Sequence, residues 1–463
     1  MSPVLRWVLM ALVCLVLGAA ILILCIFLKD SASDAIKLQA GGIANSETVQ
    51  PEPLALSTLS IQSSLPTLTY SAPVLIQELP YSGYQGIHFL QSAALALSAD
   101  GNTVAIGAYW ASCVYIRSKS ASGSWVHEAA LVRNDPPDGW SGLESPPDSW
   151  FGYSTSLSAD GNTCACGAYG HSKVWIFTRT NGEWTSEVQL SRPLGSGYGI
   201  STAISYDGNT VAIGETNMHG SGADRVHILA RTNATWNEQT VLTPLDKIGS
   251  CNFGQSIGLS GNGCTIVIGG PLDNNNVGAV WVSQLNNDTW TVPVKLSVNV
   301  SPSLNQGRRV AISGDGSTIA FTEINHDLNT YDLNFTKKWM ATGRTYVYMN
   351  TGKNEWRLNN NVTPDTASAG ASVCLNHNGE RLYIGDTFAG CVYLLSKSKH
   401  KYYELTSKIE FQNPTEHTTF GYTVAVDMWG DTLAVGAPYE PSVAGGGNGL
   451  VGMTSIYTRS SGF

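Results

Sequence analysis

The sequence predicts an all-β fold, a seven-bladed β-propeller of four-stranded antiparallel blades, behind one N-terminal transmembrane helix. Three observations predict it. A sixteen-residue block recurs seven times without a gap. Each copy carries a glycine turn at its ninth and tenth positions. Each copy is followed by further strand-like segments, the last opened by an aromatic residue in six of the seven copies. Repeats of about 50 residues that read as four short strands are the mark of propeller blades.

The blocks occupy residues 92–107, 152–167, 199–214, 254–269, 307–322, 370–385 and 421–436, with turns at Asp100-Gly101, Asp160-Gly161, Asp207-Gly208, Asn262-Gly263, Asp315-Gly316, Asn378-Gly379 and Trp429-Gly430. The flanking runs, such as 93–98 and 103–106, are rich in small and β-branched residues. An Asp-Gly or Asn-Gly pair supplies the positive φ angles of a tight hairpin, so each block is expected to fold as two strands. A third strand follows, as at 114–117 and 174–179. A fourth opens at Trp125, Trp184, Trp236, Trp290, Trp356 or Tyr402-Tyr403. Recurrence at one structural position assigns these aromatics to packing at the blade rim. The small residues of the second strand, Ala105 to Ala108 for example, fit blades that narrow toward a central channel.

The seventh copy runs out after its third strand. Residues 69–76, ahead of the first block, read like the aromatic-led fourth strand of the other copies. The start of the array is therefore expected to complete its last blade, which removes exposed strand edges.

Phe151-Gly152 with Gly167-Ala168, Phe253-Gly254 with Gly269-Gly270-Pro271, and Phe420-Gly421 with Gly436-Ala437-Pro438 resemble FG-GAP repeats. These are the units of the seven-bladed propeller at the head of integrin α subunits and of many bacterial and protist surface proteins. The resemblance covers about residues 67–463. It implies an extracellular propeller that binds proteins or glycans on the face opposite its Asp-Gly hairpins. Calcium-binding copies of the repeat carry oxygen ligands in the pattern Asp-X-Asp/Asn-X-Asp-Gly-X-X-Asp. With Asp100 as the fifth position, the first and ninth are Ala96 and Val104; for Asp160 they are Ser156 and Cys164, and for Asp207, Ala203 and Val211. Calcium is implied by the family, but this incomplete ligand pattern predicts turns without it, and no other cofactor or metal is expected.

Residues 7–28 carry no charge. As a helix they would rise about 33 Å, enough for a hydrocarbon core of about 30 Å. The run is longer than the apolar region of a cleaved signal peptide and ends in Lys29-Asp30. The expected organisation is a short cytoplasmic N-terminus at 1–6, a signal anchor at 7–28, a stalk at 29–66 rich in Ser, Ala, Leu, Gln and Pro, and a propeller ectodomain at 67–463. Cleavage near Ser31-Ala32-Ser33 is the alternative. The flanking charges orient the span weakly. Five sequons, Asn233, Asn287, Asn299, Asn334 and Asn361, all lie beyond it and favour a single-pass type II protein with its body extracellular or lumenal. Seven cysteines lie outside the span, an odd number that cannot all pair, and they show no zinc spacing; they read as free buried thiols.

A formal charge of −9 with only 13% charged residues gives no nucleic-acid-binding surface. The histidines show no metal-binding spacing, no carboxylate pair is nominated for glycoside hydrolysis, and the adjacent Arg308 and Arg309 read as a solvated loop pair. No catalytic residue is expected. Irregular sequence concentrates in the connections opposite the hairpins, where Trp140, Trp150, Tyr331, Trp339 and Tyr439 are the aromatic candidates for a ligand face. Asn334, in the longest of these loops, would obstruct part of it if glycosylated. The sequence is read as a binding or adhesion module for protein or glycan. A structural component of an envelope or cell coat is the alternative, and a glycan-acting hydrolase or lyase a further one.

Overall fold

The computed structural model describes residues 69–76, 91–109, 111–133, 150–216, 223–296, 298, 305–324, 343–352, 355–362, 369–411, 419–438 and 452–460. The expected span, the stalk, Trp140, Tyr331, Trp339, Tyr439, Asn299 and Asn334 lie outside them. Among the described residues no helix is long and apolar enough to cross a membrane.

Seven antiparallel sheets follow one another along the chain, each beginning with the hairpin of one block. Five hold four strands in simple sequence order. Blade four departs slightly: its outer strand is split into Thr289–Trp290 and Val294–Leu296, both against Ala279–Asn286. Pro293 lies between the pieces and offers no N–H to the ladder. In the seventh sheet, Val74–Ile76 lies beside Met453–Thr458, with Val74 opposite Ile456 and Ile76 opposite Thr454.

The core consists of seven apolar clusters, each shared by two neighbouring blades. The phenylalanine of the FG pair is at the centre: Phe151, Phe253 and Phe420 are fully buried, and Phe151 and Phe253 meet Trp175 and Trp281 edge-on at 5.4 and 5.3 Å. Five clusters are sealed at the rim by one of Trp125, Trp184, Trp236, Trp290 and Trp356, and the cluster between blades five and six by Tyr403. Tyr70 occupies that place between blades six and seven, its hydroxyl donating to the Gly430 carbonyl at 2.9 Å.

Some of these seals are reinforced by charge. Arg179 lies over Trp184, pairs with Glu128 of the preceding blade at 2.7 Å, and donates Nε–H to the turn residue Asn162. Arg231, Trp236, Glu187 and Asn209 repeat the arrangement one blade on. Burial alone would raise the Glu128 carboxyl, but hydrogen bonds from Arg179, Ser118 and Trp184 together hold it below the usual range.

The signature glycines explain themselves by contact. A side chain on Gly107, Gly167, Gly214, Gly269 or Gly385 would overlap the carbonyl oxygen of Gly152, Gly199, Gly254, Gly307 or Gly421 in the next blade. The glycine ending one block thus packs on the glycine beginning the following one. The second of each pair also needs a left-handed backbone, with φ of 88° at Gly152 and 96° at Gly254, which L side chains rarely adopt. Ser154, Ser201 and Ser372 donate to the same carbonyls at 3.0, 2.6 and 2.8 Å. The small second-strand residues therefore serve blade-to-blade contact, not a taper toward the channel. At the boundary of blades five and six, where the block ends in Thr322, Gly343 takes this role against the Ala369 carbonyl.

The block turns are wider than the two-residue hairpins expected. Only the glycine has positive φ, 67° at Gly101, while Asp100 stays in the ordinary region. Ser98 and Thr103 close the loop through their backbones. Asp100 instead works through its carboxylate, accepting from the Ser98 hydroxyl and from the backbone and side-chain amides of Asn102. Asp160 and Asp207 do the same, and all three carboxyls are held below their ordinary values because these bonds outweigh burial. The flanking positions do not suit calcium: Val104, Cys164 and Val211 are fully buried and offer no oxygen. Among the described residues no three His, Cys, Asp or Glu gather closely enough to hold a metal.

The seven cysteines among the described residues are free; five are buried, and Cys264 and Cys374 are partly exposed.

Gly269→Ala should destabilise the protein by about 1–3 kcal/mol, because the methyl group meets backbone that cannot swing away; denaturant unfolding measures it. Ile76, 4% exposed among Val104, Ala434 and Ile456, gives a second expectation. Ile76→Ala should cost about 2 kcal/mol or more and speed hydrogen exchange at residues 453–458. Unchanged stability and exchange would show that the terminal strand does not hold the seventh blade.

Candidate functional site

The first strand of every blade faces a central channel, and its two ends differ. At the hairpin end, the eighth residue of each block takes part in a closed circle of backbone hydrogen bonds. The N–H groups of Ala99, Ala159, Tyr206 and Gly261 donate to the carbonyls of Ala159, Tyr206, Gly261 and Gly314, at 2.8, 3.0, 2.8 and 2.8 Å. Asp315 N–H then donates to His377, His377 to Met428, and Met428 back to Ala99, at 2.8, 3.0 and 3.0 Å. Within this circle Tyr206 lies across the opening, its hydroxyl 3.4 Å from His377 Nδ1. Gly261 and Gly314 make room for it, since a Cβ on either would strike the tyrosine. Burial, helped by the nearby Asp315 carboxylate, raises the Tyr206 hydroxyl to about 12, so it remains protonated.

The other end is open. All seven blades line a cavity of about 210 Å³ there, through the second to fourth residues of their blocks. That volume holds roughly seven waters at about 30 Å³ each. The wall is mostly hydroxyl and aliphatic, with Tyr109, Tyr153, Tyr422 and Gln255. Arg309 is the one charged side chain among the described residues that line it. The expectation of a solvated arginine pair is corrected: Arg308 is 9% exposed, and Arg309, just ahead of the inner strand Val310–Ile312 of blade five, is partly buried and lines the cavity. Their register at the second and third block positions could have signalled this.

An aromatic cluster flanks this mouth on blades one and two. Trp150 stacks on Tyr109 at 5.5 Å and meets Tyr169 edge-on at 4.9 Å, while Tyr153 contacts Tyr169 at 4.6 Å and Tyr109 at 5.5 Å. Trp150 has a positive φ of 53°, which costs a non-glycine residue roughly 1–2 kcal/mol and is offset by the packing around it. The Tyr153 hydroxyl is raised by burial first and by Tyr422 second, and lowered by Arg309 and Arg308; the net direction is up, which leaves it a hydrogen-bond donor.

Of the five predicted ligand-face aromatics, Trp150 is thus placed beside the channel. The remaining four lie outside the described residues. Tyr109, Tyr153, Tyr169 and Tyr422 were not singled out by sequence, because each is one tyrosine among nineteen until block register and closure place them around one mouth. Asn233 and Asn287 are exposed at turns between third and fourth strands, which share the hairpin end, and Asn361 is exposed on the outer strand of blade five.

A buried polar group lies on blade three. His227, 2% exposed, is held between Glu215 at 2.7 Å and Glu238 at 2.8 Å, with Arg192 on Glu238. Burial pushes the Glu215 carboxyl up, but His227 and Arg225 bring it below its ordinary value. Arg225 lies 3.6 Å from Glu215 and Arg192 pairs with Glu238, so each carboxylate has a cationic partner and the group is a structural clamp between strands.

Comparison with known proteins agrees with the repeat. The family model described as FG-GAP repeat matches residues 236–283, from the fourth strand of blade three to the third strand of blade four. No curated protein matches the chain. Among solved structures, Kuenenia stuttgartiensis hydrazine synthase is similar at 11% identity and TM-score 0.52, covering 82% of this chain and 98% of that one. The β-propeller domain of Myceliophteria thermophila Cps50 (Swd1) is similar at 12% identity and TM-score 0.52, covering 84% and 100%. The RRP9 WD40 repeats give 12% identity and TM-score 0.52, covering 85% and 100%. At such identities the likeness is one of fold. The matched repeat, taken with seven blades whose boundaries are closed by the same glycine contact at most positions, supports the resemblance to FG-GAP repeat β-propellers.

Proposed function

We propose that the protein is a membrane-anchored extracellular or lumenal binding and adhesion module, which engages a protein or glycan through its loop-rich face. The observation that carries this reading is the asymmetry of the channel. Its hairpin end is closed by the backbone circle and Tyr206, while its other end opens beside the Trp150 cluster. Rigid blades carrying long connections at one end are a common platform for recognition. The exposed turn sequons Asn233 and Asn287 support the choice of face, since glycans there would leave the open mouth clear.

Binding without catalysis fits the same wall. Glycoside hydrolysis needs a carboxylate pair, and no carboxylate is among the described residues lining the cavity. The anchor at 7–28 and the type II topology rest on the length of the uncharged run and the position of the sequons. The turns are proposed to fold without calcium, their carboxylates being engaged by serine and asparagine. A second reading, lateral assembly in an envelope or coat, is favoured by the exposed apolar side chains Leu245, Ile248, Val292 and Val294 around blade four.

The full-length chain applied to a glycan and protein array should bind a discrete set of ligands, and Tyr153→Phe, which keeps the ring contacts and removes the hydroxyl, should weaken that binding without lowering the unfolding temperature. An empty array, or binding indifferent to this substitution, would overturn the reading; concentration-dependent self-association lost on Val294→Asp would favour the coat instead. A calcium chelator should leave the thermal midpoint in place, and a large drop would show that the turns hold the ion.

A further inference from the structure

The channel has unusual electrostatics for so acidic a chain. In a protein with a formal charge of −9, the one charged group among the described lining residues is a guanidinium. Arg309 donates Nε–H to the Ala371 carbonyl at 3.2 Å. That bond uses one of five donors, and no carboxylate of the described residues pairs with the rest. The groups that influence Tyr153 across the cavity are Tyr422, Arg309 and Arg308, with no acid among them. Elsewhere the protein compensates its buried charges, as the Glu215–His227–Glu238 and Arg344–Glu323 groups show.

A second observation is independent of charge. Thr155, partly buried, lines the same cavity, and its Oγ1, itself shielded from solvent, has no hydrogen-bond partner. Buried hydroxyls are ordinarily satisfied, and an exception asks for an explanation. The serines one position earlier are different, since Ser154, Ser201 and Ser372 are committed to the glycine carbonyls. The cavity thus offers a cationic fork, an unfilled hydroxyl, the Gln255 amide and a tyrosine donor, beside stacked aromatic rings.

We propose that this loop-side cavity holds the carboxylate-bearing sugar residue of an acidic glycan, with Arg309 pairing to the carboxylate, Thr155 and Gln255 bonding ring hydroxyls, and the Trp150–Tyr109 stack covering the sugar's apolar face. Arginine matches a planar carboxylate through two parallel N–H bonds. A polyhydroxylated ring satisfies the uncharged polar wall as well as the cation. An acidic peptide side chain would bring the carboxylate alone, which is why the sugar is the better fit. This inference rests on the loop face being the binding face.

The test uses calorimetric titration of the full-length chain with methyl β-glucuronide, methyl α-galacturonide and the methyl glycoside of N-acetylneuraminic acid, against methyl β-glucoside, methyl α-galactoside and hexaglutamate. At least one acidic sugar should bind about tenfold or more tightly than its neutral counterpart, as expected of a charge-assisted pair. Arg309→Gln should erase that preference, Arg309→Lys should keep part of it, and Thr155→Val should weaken acidic and neutral sugars alike. Binding to none of the three acids, equal binding of acidic and neutral sugars, preference for hexaglutamate, or a preference that survives Arg309→Gln would each overturn the inference. Should Arg309→Gln fail to fold, the Lys and Val variants decide it by the same criteria. Neutral sugars that bind without acid preference, and more weakly to Tyr153→Phe, would remove the acid specificity and leave the binding-module reading intact.

Discussion

The structure depends on the contact between two glycines at five of its blade boundaries, and between Gly343 and Ala369 at a sixth. A blade is a twisted sheet with both faces apolar, and its neighbours must approach closely enough to bury them. Closest approach is reached where the last residue of one block meets the first of the next, and a single methyl group would hold the backbones apart. The phenylalanine preceding the second glycine fills the space this approach creates, as Phe151, Phe253 and Phe420 do. Two glycines from successive blocks and the aromatic before the second thus carry both the spacing and the filling of the interface. Variation elsewhere in the blade is tolerated, as the split outer strand of blade four shows.

The same contact accounts for the site. Once blade spacing is set, the eighth residues of successive blocks fall within hydrogen-bonding distance, and their circle closes one end of the channel. The hairpins are short and nearly alike, so that end has little freedom to diverge. Blade five breaks the pattern at the open end, where Arg309 replaces the alanine, serine or threonine of the other blades, and blades one and two contribute Tyr109, Tyr153, Tyr169 and Trp150. Symmetry supplies the scaffold; departures from it supply the chemistry.

Much of the fold was legible because the block repeats without gaps. The number of blades, the hairpin of each block and the rim aromatics follow from position alone, and Tyr70 could be matched to Trp236 by the residues around it. The physical role of the small second-strand residues was less legible: a run such as Ala105-Ile106-Gly107 reads as a taper until Gly152 is seen against it. Turn geometry was misjudged at Asp100 because the aspartate acts through its carboxylate and not its backbone. At the site, Trp150 stood out as a large aromatic in a loop, whereas Arg309 looked like surface charge. Its place in the cavity wall comes from its block register in a closed ring, and the residues next to Arg308 and Arg309 do not display that by themselves. Tyr206 escaped notice for the same reason, since its partner His377 is 171 residues away.

The central claim is that the channel is blind, closed at the hairpin end and accessible only from the loop face. Site-resolved hydrogen exchange of the full-length chain tests it most directly, at the amides of Ala99, Ala159, Tyr206, Gly261, His377 and Met428. The account predicts that all six exchange only through global unfolding, slowing together as stability is raised. Fast exchange at any of them under native conditions would show that the circle opens and that the channel passes through the protein.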